Sequence, residues 1–332
     1  MGVKVTFFYR NHKAGYSIHK VMRPVIEGTP ASQIVEMPNV GASPLQIFKN
    51  LIYAWKHRNK GGINHITGDV HYLSLALPVR NTMTTVHDVV SIMYNHYPQI
   101  KRFIIKFLFV NTLKRNRFLV CISEKTKKEV LSLVNFPKER IFVIPDPVDD
   151  SFQYVEHSFN SICPTILHLG TKSNKNLKRS IEAMADLKVK LRIIGKLDED
   201  DKDLLKKYNI DYTIANNLTD EQIREEYAKC DFVSFPSLYE GFGMPILEAQ
   251  ATGRVCITSN IEPMKTVAGG GALLVDPQNV SSIRSAYEKI INDGKLRKEL
   301  IHQGLVNIMQ YREEHIVEMY HEVYSRFNQK EL

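Results

Sequence analysis

The stretch from Asp231 to Glu248, DFVSFPSLYEGFGMPILE, constrains the fold more than any other part of the chain. It begins with a short apolar run, residues 232–236, whose composition is typical of a buried strand. A turn with two glycines follows, and Pro245 then opens a helix, because its fixed φ suits the first helical position. A strand, a glycine loop and a helix N-terminus in this order direct free backbone N–H groups toward a common point. We expect phosphate to bind at that point, where the helix dipole is positive.

Two carboxylates frame this loop, Glu240 before the glycines and Glu248 about one turn into the helix. A carboxylate repels phosphate, but it accepts two hydrogen bonds from a vicinal diol. A phosphate with a diol on either side describes a nucleotide sugar, in which ribose lies on one side and a hexose on the other. The loop therefore predicts a site for a nucleotide sugar.

The seven residues between Glu240 and Glu248 give a spacing that resembles the E-x7-E signature of retaining GT-B glycosyltransferases of the GT4 type. The spacing alone arises by chance on charged helices, so its weight comes from the strand and the glycine loop beside it. The alternative is a glycine-rich turn that caps an ordinary helix. The resemblance implies that Glu240 is catalytic and that Glu248 binds the donor, together with Gly241, Phe242, Gly243, Met244 and Pro245.

The order of predicted elements favours an α/β fold built from parallel, doubly wound sheets. In the first half, strands are predicted at 3–9, 63–67, 84–86, 118–122 and 141–144, and helices at 18–26, 45–57 and 124–134. In the second half, strands are predicted at 164–170, 191–195, 212–215, 232–236, 255–258 and 272–275, and helices at 177–187, 198–208, 220–229, 279–292 and 295–330. The resemblance implies a GT-B architecture, in which two Rossmann-like domains face an active cleft.

A length of 332 residues suits two domains, each with its own core. Residues 145–149, PDPVD, can continue neither a strand nor a helix, so we place the interdomain linker there. The expected domains are an acceptor-side domain at 1–148 and a nucleotide-sugar domain at 149–312. By resemblance, the C-terminal helix in 313–332 packs back on the first domain.

Three candidate site residues in the first half follow predicted strands. His87 comes at the end of the strand 84–86, where parallel α/β folds place their active sites, and the resemblance implies a catalytic position near the donor sugar. Asp88 can orient its ring or cap the next helix. Gly15 lies in the loop after the first strand, and the resemblance implies that its backbone approaches the donor. Ser123 fits a helix N-cap and is a further possible donor contact.

A second loop, GTKSNKN at 170–176, also joins a predicted strand to a predicted helix, and this loop is basic. A lysine there can reach phosphate oxygens. Many relatives carry two basic residues in this loop, but here the run is one residue shorter and Asn174 stands where the first is usual. We therefore expect Lys175 to contact the diphosphate, with Lys172 as a possible substitute and Asn176 as a possible contact.

The charge is unevenly distributed. Residues 1–150 contain 21 Lys and Arg against 10 Asp and Glu, whereas the whole chain carries a net charge of +8. Such asymmetry suggests an anionic surface as partner. The segment 100–117, IKRFIIKFLFVNTLKRNR, combines apolar and basic residues and predicts contact with an anionic membrane. The alternative is a core helix with solvated ends. Nucleic acid is not expected as a partner, since no nucleic-acid motif appears.

The remaining composition is typical of a soluble globular protein. Four widely spaced cysteines form no metal or disulfide pattern, which predicts buried thiols in a reducing compartment. No signal peptide and no apolar run of 18 residues is present. We therefore expect a cytoplasmic protein, peripheral on the inner face of the membrane.

The resemblance implies transfer of a hexose from a GDP- or UDP-sugar to a hydroxyl, with retention at the anomeric carbon. The acceptor is expected to be a glycan, lipid-linked, in surface polysaccharide biosynthesis. No cofactor and no metal is expected, because the sequence offers no histidine cluster. Two alternatives stay open: a non-catalytic nucleotide-sugar-binding protein or partner subunit, which the change at Asn174 favours, and a nucleotide-sugar epimerase.

Overall fold

The computed structural model describes residues 4–14, 17–41, 43–89, 104 and 106–328. The chain divides into two compact units. The first unit consists of Met1–Pro147 together with Glu313–Leu332, and the second unit is Val148–Arg312.

Six described strands of the first unit form one parallel sheet in the order β2-β1-β3-β4-β5-β6. These strands are β1 (Val5–Tyr9), β2 (Gln33–Glu36), β3 (Ile63–Ile66), β4 (Thr82–Val86), β5 (Phe118–Cys121) and β6 (Ile141–Val143). The helices between them are α1 (Ser17–Glu27), α2 (Pro44–His57) and α3 (Glu124–Leu133). Four of the six strands are buried along their whole length, which explains their continuous apolar and threonine-rich sequences.

The second unit repeats this plan, with a parallel sheet in the order β12-β11-β10-β7-β8-β9. Its strands are β7 (Thr165–Leu169), β8 (Lys190–Ile194), β9 (Asp211–Ala215), β10 (Phe232–Phe235), β11 (Val255–Ser259) and β12 (Ala272–Val275). Its helices are α4 (Leu177–Ala183), α5 (Glu199–Lys207), α6 (Asp220–Lys229), α7 (Met244–Thr252), α8 (Met264–Ala268), α9 (Val280–Asn292) and α10 (Gly294–Asn307). Two six-stranded parallel sheets with flanking helices confirm the predicted doubly wound fold class.

The strand order creates a switch point in the second sheet. From β7 the chain moves outward to β8 and β9, and it then returns to place β10 on the other side of β7. The chain therefore runs in opposite directions along the sheet after β7 and after β10. In open α/β sheets the carboxyl ends of the strands at such a switch point are the usual position of a ligand.

The last helix, α11 (Glu313–Ser325), belongs to the first unit. Its buried residues Ile316, Tyr320 and Tyr324 enter the core formed by β1 and α1. The sequence predicted one helix over 295–330, but the chain leaves α10 through a 3-10 turn, Ile308–Tyr311, and Arg312 is extended. This break interrupts the predicted helix where the chain passes from the second unit to the first.

Three further elements differ from the sequence prediction. Helix α8 (Met264–Ala268) was not predicted. Strand β2 was not predicted, because it has four residues and two of them are exposed at the sheet edge. Part of the segment 100–117 lies outside the described residues. Its described part consists of a π-helical turn, Lys106–Val110, and a 3-10 turn, Asn111–Arg115, instead of a continuous α-helix.

Other expectations concerned cysteines and membrane spans. Cys121, Cys230 and Cys256 are buried thiols as predicted, whereas Cys163 is half-buried, and all four are free. Within the described ranges, no helix is both long enough and apolar enough to cross a bilayer.

The core position of α11 gives a test of the fold. Ile316 is fully buried, so Ile316→Ala should lower the free energy of unfolding by about 2–5 kcal/mol through lost burial and a residual cavity. Urea unfolding measures this change. Glu322→Ala, at an exposed position of the same helix, serves as control and should change stability by less than about 0.5 kcal/mol. Equal stability of the two variants would contradict the packing of α11.

Candidate functional site

The candidate site lies at the switch point of the second sheet, where two loops meet. Loop 170–176 follows β7, and loop 236–243 follows β10. The strands are adjacent and parallel, with Ser234 opposite His168. A backbone hydrogen bond joins the loops directly, since the Leu238 N–H donates to the Asn174 carbonyl at 2.8 Å. The structure thus brings together the two loops that the sequence singled out separately.

Gly170 determines how Lys175 lies in the first loop. Gly170 has φ +85°, and a Cβ at this position would lie 2.9 Å from Cγ of Lys175. Only a glycine therefore lets the aliphatic stem of the lysine cross this turn. The stem then carries Nζ over the ring of Phe235, 4.9 Å from its centroid.

Lys175 and Glu240 form an ion pair across the two loops. The Lys175 Nζ donates to Glu240 Oε1 at 2.7 Å, and both side chains are largely buried, with 22% and 15% of their surface exposed. Asn174, which replaces the usual basic residue, donates from Nδ2 to the Tyr239 carbonyl at 3.0 Å. Sequence reasoning proposed Lys175 and Glu240 for different parts of the ligand, and it did not foresee that they contact each other.

The side chain of Asn176 holds the two loops together. Its backbone adopts the left-handed conformation, φ 63° and ψ 32°, as the residue that precedes α4. Its buried Nδ2 donates to the carbonyls of Pro236 (2.9 Å) and Pro277 (2.7 Å). The side chain thus fixes loop 170–176 to loop 236–243. Lys172, in contrast, is exposed.

The second loop ends at the N-terminus of α7. Gly243 precedes the helix with φ +127°, a conformation that favours glycine. The helix begins at Met244, so Pro245 occupies its second position instead of the first. Phe242 is buried and packs edge-on against Tyr311, with ring centroids 5.9 Å apart. The first turn of α7 is therefore held with its backbone N–H groups at the switch point.

A buried tyrosine holds Glu248. The Tyr227 hydroxyl, on α6, donates to Glu248 Oε2 at 2.6 Å. Burial raises the pKa of Tyr227 well above its usual range, and the Glu248 carboxylate raises it further. Tyr227 therefore stays protonated and donates this hydrogen bond throughout the physiological pH range. The sequence offered no signal for this contact, because the partners lie 21 residues apart on different helices.

His168 lies on β7 close to Lys175 and is fully buried. Burial lowers the pKa of His168 to about 4, and the Lys175 cation contributes to the decrease. The ring is thus neutral at pH 7. Positive charge in loop 170–176 therefore comes from its lysines and not from the histidine at its base.

In the first unit, His87 follows β4 as predicted. Its Nε2 lies 3.0 Å from the Thr67 carbonyl, and its Nδ1 lies 3.5 Å from Asp146 Oδ1. Burial alone would lower the pKa of His87, but the Asp146 carboxylate, the Thr67 carbonyl and the Asp88 carboxylate together outweigh that effect, so the pKa is raised. Asp146, from the predicted linker, contributes most to the increase, and the exposed Asp88 contributes less.

Two other predicted residues of the first unit remain expectations. Gly15 lies outside the described residues. Ser123 caps α3, as the sequence indicates, and its Oγ accepts from the Thr126 N–H at 3.1 Å. This cap explains why a serine occurs at that position. The predicted contact of Ser123 with the sugar donor stays a hypothesis.

Models of known families match both halves of the chain. The family model described as "Glycosyltransferase Family 4" matches residues 1–152, and "Glycosyl transferases group 1" matches residues 156–305. Together the two models cover nearly the whole chain and define a glycosyltransferase with two Rossmann-like units. The chain belongs to the GT4-type glycosyltransferases with the GT-B fold.

Relatives of known name are distant. "Serotype-specific mannosyltransferase WbdA" of Escherichia coli is 25% identical over 250 residues, which cover 66% of this chain and 30% of WbdA. "O-antigen chain mannosyltransferase B" of Escherichia coli is 26% identical over 268 residues, which cover 73% of this chain and 70% of that protein. The chain thus spans about a third of the length of WbdA.

Solved structures share the fold. Anabaena Alr3699/HepE in complex with UDP-glucose superposes with a TM-score of 0.76 at 15% identity, over 97% of this chain and 99% of that one. At this identity the likeness establishes the GT-B fold alone.

The Asp146 contact generates a prediction for His87. Asp146→Asn removes the negative charge beside the ring at nearly constant size. The pKa of His87 should fall, because burial lowers it and the carboxylate that raises it is gone. An NMR pH titration of the His87 ring protons measures the shift. Asp69→Asn, which removes an exposed carboxylate of the same unit, should move the pKa of His87 far less. An unchanged pKa in Asp146→Asn would contradict the assigned contact.

Proposed function

We propose that this protein is a retaining hexosyltransferase that uses a nucleotide diphosphate sugar and a glycan acceptor. The observation that carries the proposal is the Lys175–Glu240 ion pair at the switch point, directly before the N-terminus of α7. This arrangement offers a cation and helix amides for a diphosphate, and a carboxylate for sugar hydroxyls. Membership of the GT4-type family supports the same reaction class.

Negative charge grows on the diphosphate as the bond to the anomeric carbon breaks. The Lys175 ammonium has three donors, and one of them is engaged by Glu240. In the proposal, the others bind diphosphate oxygens together with the backbone N–H groups of residues 243–246. The diphosphate of the bound donor is already negatively charged, and its charge increases as the bond breaks. Such preorganised donors therefore stabilise the leaving group more than the ground state, and this difference lowers the barrier. The residues of the loop thus supply the positive charge, and the proposed reaction needs no metal.

The remaining residues orient the donor. Glu248 accepts hydrogen bonds from the ribose diol, and Tyr227 fixes its carboxylate for this purpose. Glu240 and the backbone at Phe242 and Gly243 bind hydroxyls of the hexose. His87 is the proposed catalytic residue of the first unit and contacts the donor sugar. Following the family resemblance, the acceptor attacks from the leaving-group face and the diphosphate takes its proton, which gives retention.

The names of relatives support a glycan acceptor. Two of them are an O-antigen chain mannosyltransferase and a serotype-specific mannosyltransferase. We therefore propose a reaction in surface polysaccharide biosynthesis. The lipid-linked acceptor at the inner face of the membrane is proposed from the sequence and not from these names. Mannose is the first donor sugar to test, with GDP or UDP as the nucleotide.

The segment 100–117, which predicted membrane contact, is partly engaged within its own unit. Arg117 Nη1 donates to the Phe327 carbonyl at 2.8 Å, and its guanidinium lies over the rings of Phe118 and Phe327. Val110 and Leu113 are buried. Exposed residues such as Lys114 and Phe107 are left for contact with lipid, so this segment remains a weaker candidate than the sequence suggested.

A thermal-shift panel of nucleoside diphosphates and nucleotide sugars tests the donor assignment. A donor that binds only the folded state raises the melting temperature, by an amount that depends on its concentration relative to its Kd. We expect one nucleotide to give a selective shift in the wild type. Glu248→Ala should lose most of that shift, because the ribose diol loses its acceptor, a change of roughly 1.5–3 kcal/mol in binding.

Glu225→Ala serves as the matched control, since Glu225 is an exposed carboxylate of the same unit paired with Lys229. It should keep the full shift. Sugar transfer to a polysaccharide oligomer, followed by mass spectrometry, separates a transferase from a protein that only binds the donor. The absence of a shift with every donor, or an equal shift in Glu248→Ala, would contradict the proposed site.

A further inference from the structure

Helix α2 exposes a row of large apolar side chains. Leu45, Phe48, Ile52 and Trp55 have 62%, 59%, 41% and 53% of their surface exposed. A period of 3.6 residues places these four positions within an arc of about 80° on one side of the helix. Single exposed apolar residues are normal, but a continuous row on one helix face indicates an interaction surface.

The opposite side of α2 anchors the helix firmly in the first unit. Ile47 and Ala54 are buried in a core cluster, and the buried Asn50 donates from Nδ2 to the Tyr72 hydroxyl at 2.8 Å. A capping box of Ser43 and Gln46 fixes its N-terminus. The exposed row therefore belongs to a helix held on its other side, and it is not a consequence of loose packing.

The charges on α2 and on the residues that flank it in sequence are of one sign. The sequence from residue 37 to residue 68 contains no aspartate or glutamate, whereas it contains Lys49, Lys56, Arg58 and Lys60. Lys49 and Lys56 lie on the flank of the apolar row by helical position, and both are exposed. The Arg58 guanidinium lies 4.3 Å from the centroid of the Trp55 ring. The α2 surface thus has an apolar row flanked by basic residues, with no acidic residue nearby in sequence. Such a surface is complementary to a partner that has an apolar interior and a negatively charged boundary.

We propose that α2 is the membrane-docking surface of this protein, lying parallel to a bilayer that contains anionic lipid. Leu45, Phe48 and Ile52 enter the boundary of the acyl chains, and Trp55 sits at the headgroup level, where indole rings are favoured. Lys49 and Lys56 contact the anionic headgroups. The proposal deepens the membrane location given under Proposed function and rests on it, but it assigns the contact to α2 instead of segment 100–117.

Trp55 makes this docking directly measurable, because it is the only tryptophan of the chain. Its emission should shift to shorter wavelength when the full-length protein meets vesicles of phosphatidylcholine mixed with phosphatidylglycerol. Vesicles of phosphatidylcholine alone should give little shift, and high salt should weaken the response to the mixed vesicles. No sugar donor is present, so a failure here leaves the transferase proposal intact.

Two double variants separate the contributions of the apolar and the charged residues of α2 to vesicle binding. The double variant Phe48→Ser with Ile52→Ser should weaken vesicle binding about tenfold or more, through loss of inserted apolar surface. The double variant Lys49→Glu with Lys56→Glu should also weaken it by at least about tenfold, since each lysine near an anionic surface contributes about fivefold. All four positions are exposed, and circular dichroism confirms that the variants fold.

Two controls assign the effect to α2. Lys188→Glu with Lys298→Glu makes the same change in net charge at exposed positions of the second unit and should retain binding. Charge reversal of Lys114, Arg115 and Arg117 should weaken binding less than the α2 variants do. The proposal is overturned if both α2 variants bind as the wild type does, or if only the reversal at 114–117 abolishes binding. It is also overturned if the Trp55 shift follows concentration-dependent dimerisation, seen by sedimentation velocity without vesicles.

Discussion

The candidate site depends on one ion pair, the 2.7 Å contact between Lys175 and Glu240. It links the loops that leave two adjacent parallel strands, at the point where the sheet changes direction. Partial burial makes the attraction stronger than that of a surface pair. The same contact holds the lysine in place and offsets its charge, so Glu240 weakens the attraction between the ammonium group and an incoming diphosphate. In the proposed mechanism, donor binding is thereby coupled to the position of the carboxylate that binds the sugar.

The surrounding residues keep this pair in place by conformational restriction. Gly170 allows the lysine stem to cross the turn, and the left-handed Asn176 bonds two proline carbonyls across the site. Asn174, at a position where the family resemblance implies a basic residue, instead bonds the carbonyl of Tyr239. Compared with that pattern, the loop has one positive charge fewer and one loop contact more. In the proposed mechanism, Lys175 and the amides of α7 therefore supply more of the stabilisation of the leaving group.

Local patterns predicted much of this fold, and contacts between distant residues explain the rest. The alternation of apolar strands and amphipathic helices predicted both parallel sheets, and the glycine loop identified the start of α7 within one residue. The bonds from Tyr227 to Glu248 and from Asp146 to His87 join different elements, so no local pattern reports them. The sequence alone did not reveal the exposed apolar row of α2, for a related reason. Its apolar residues have helical spacing, and only burial shows which side faces the core.

The most direct test of the account compares two properties of Glu240→Gln, the affinity for a nucleoside diphosphate and the rate of sugar transfer. Removing the charge releases Lys175, so the diphosphate should bind several-fold more tightly. Transfer should fall roughly tenfold to a hundredfold, because the sugar loses a charged hydrogen-bond acceptor. Isothermal titration calorimetry and a transfer assay give both values. Weaker binding of the diphosphate, or unchanged transfer, would contradict the role of the Lys175–Glu240 pair.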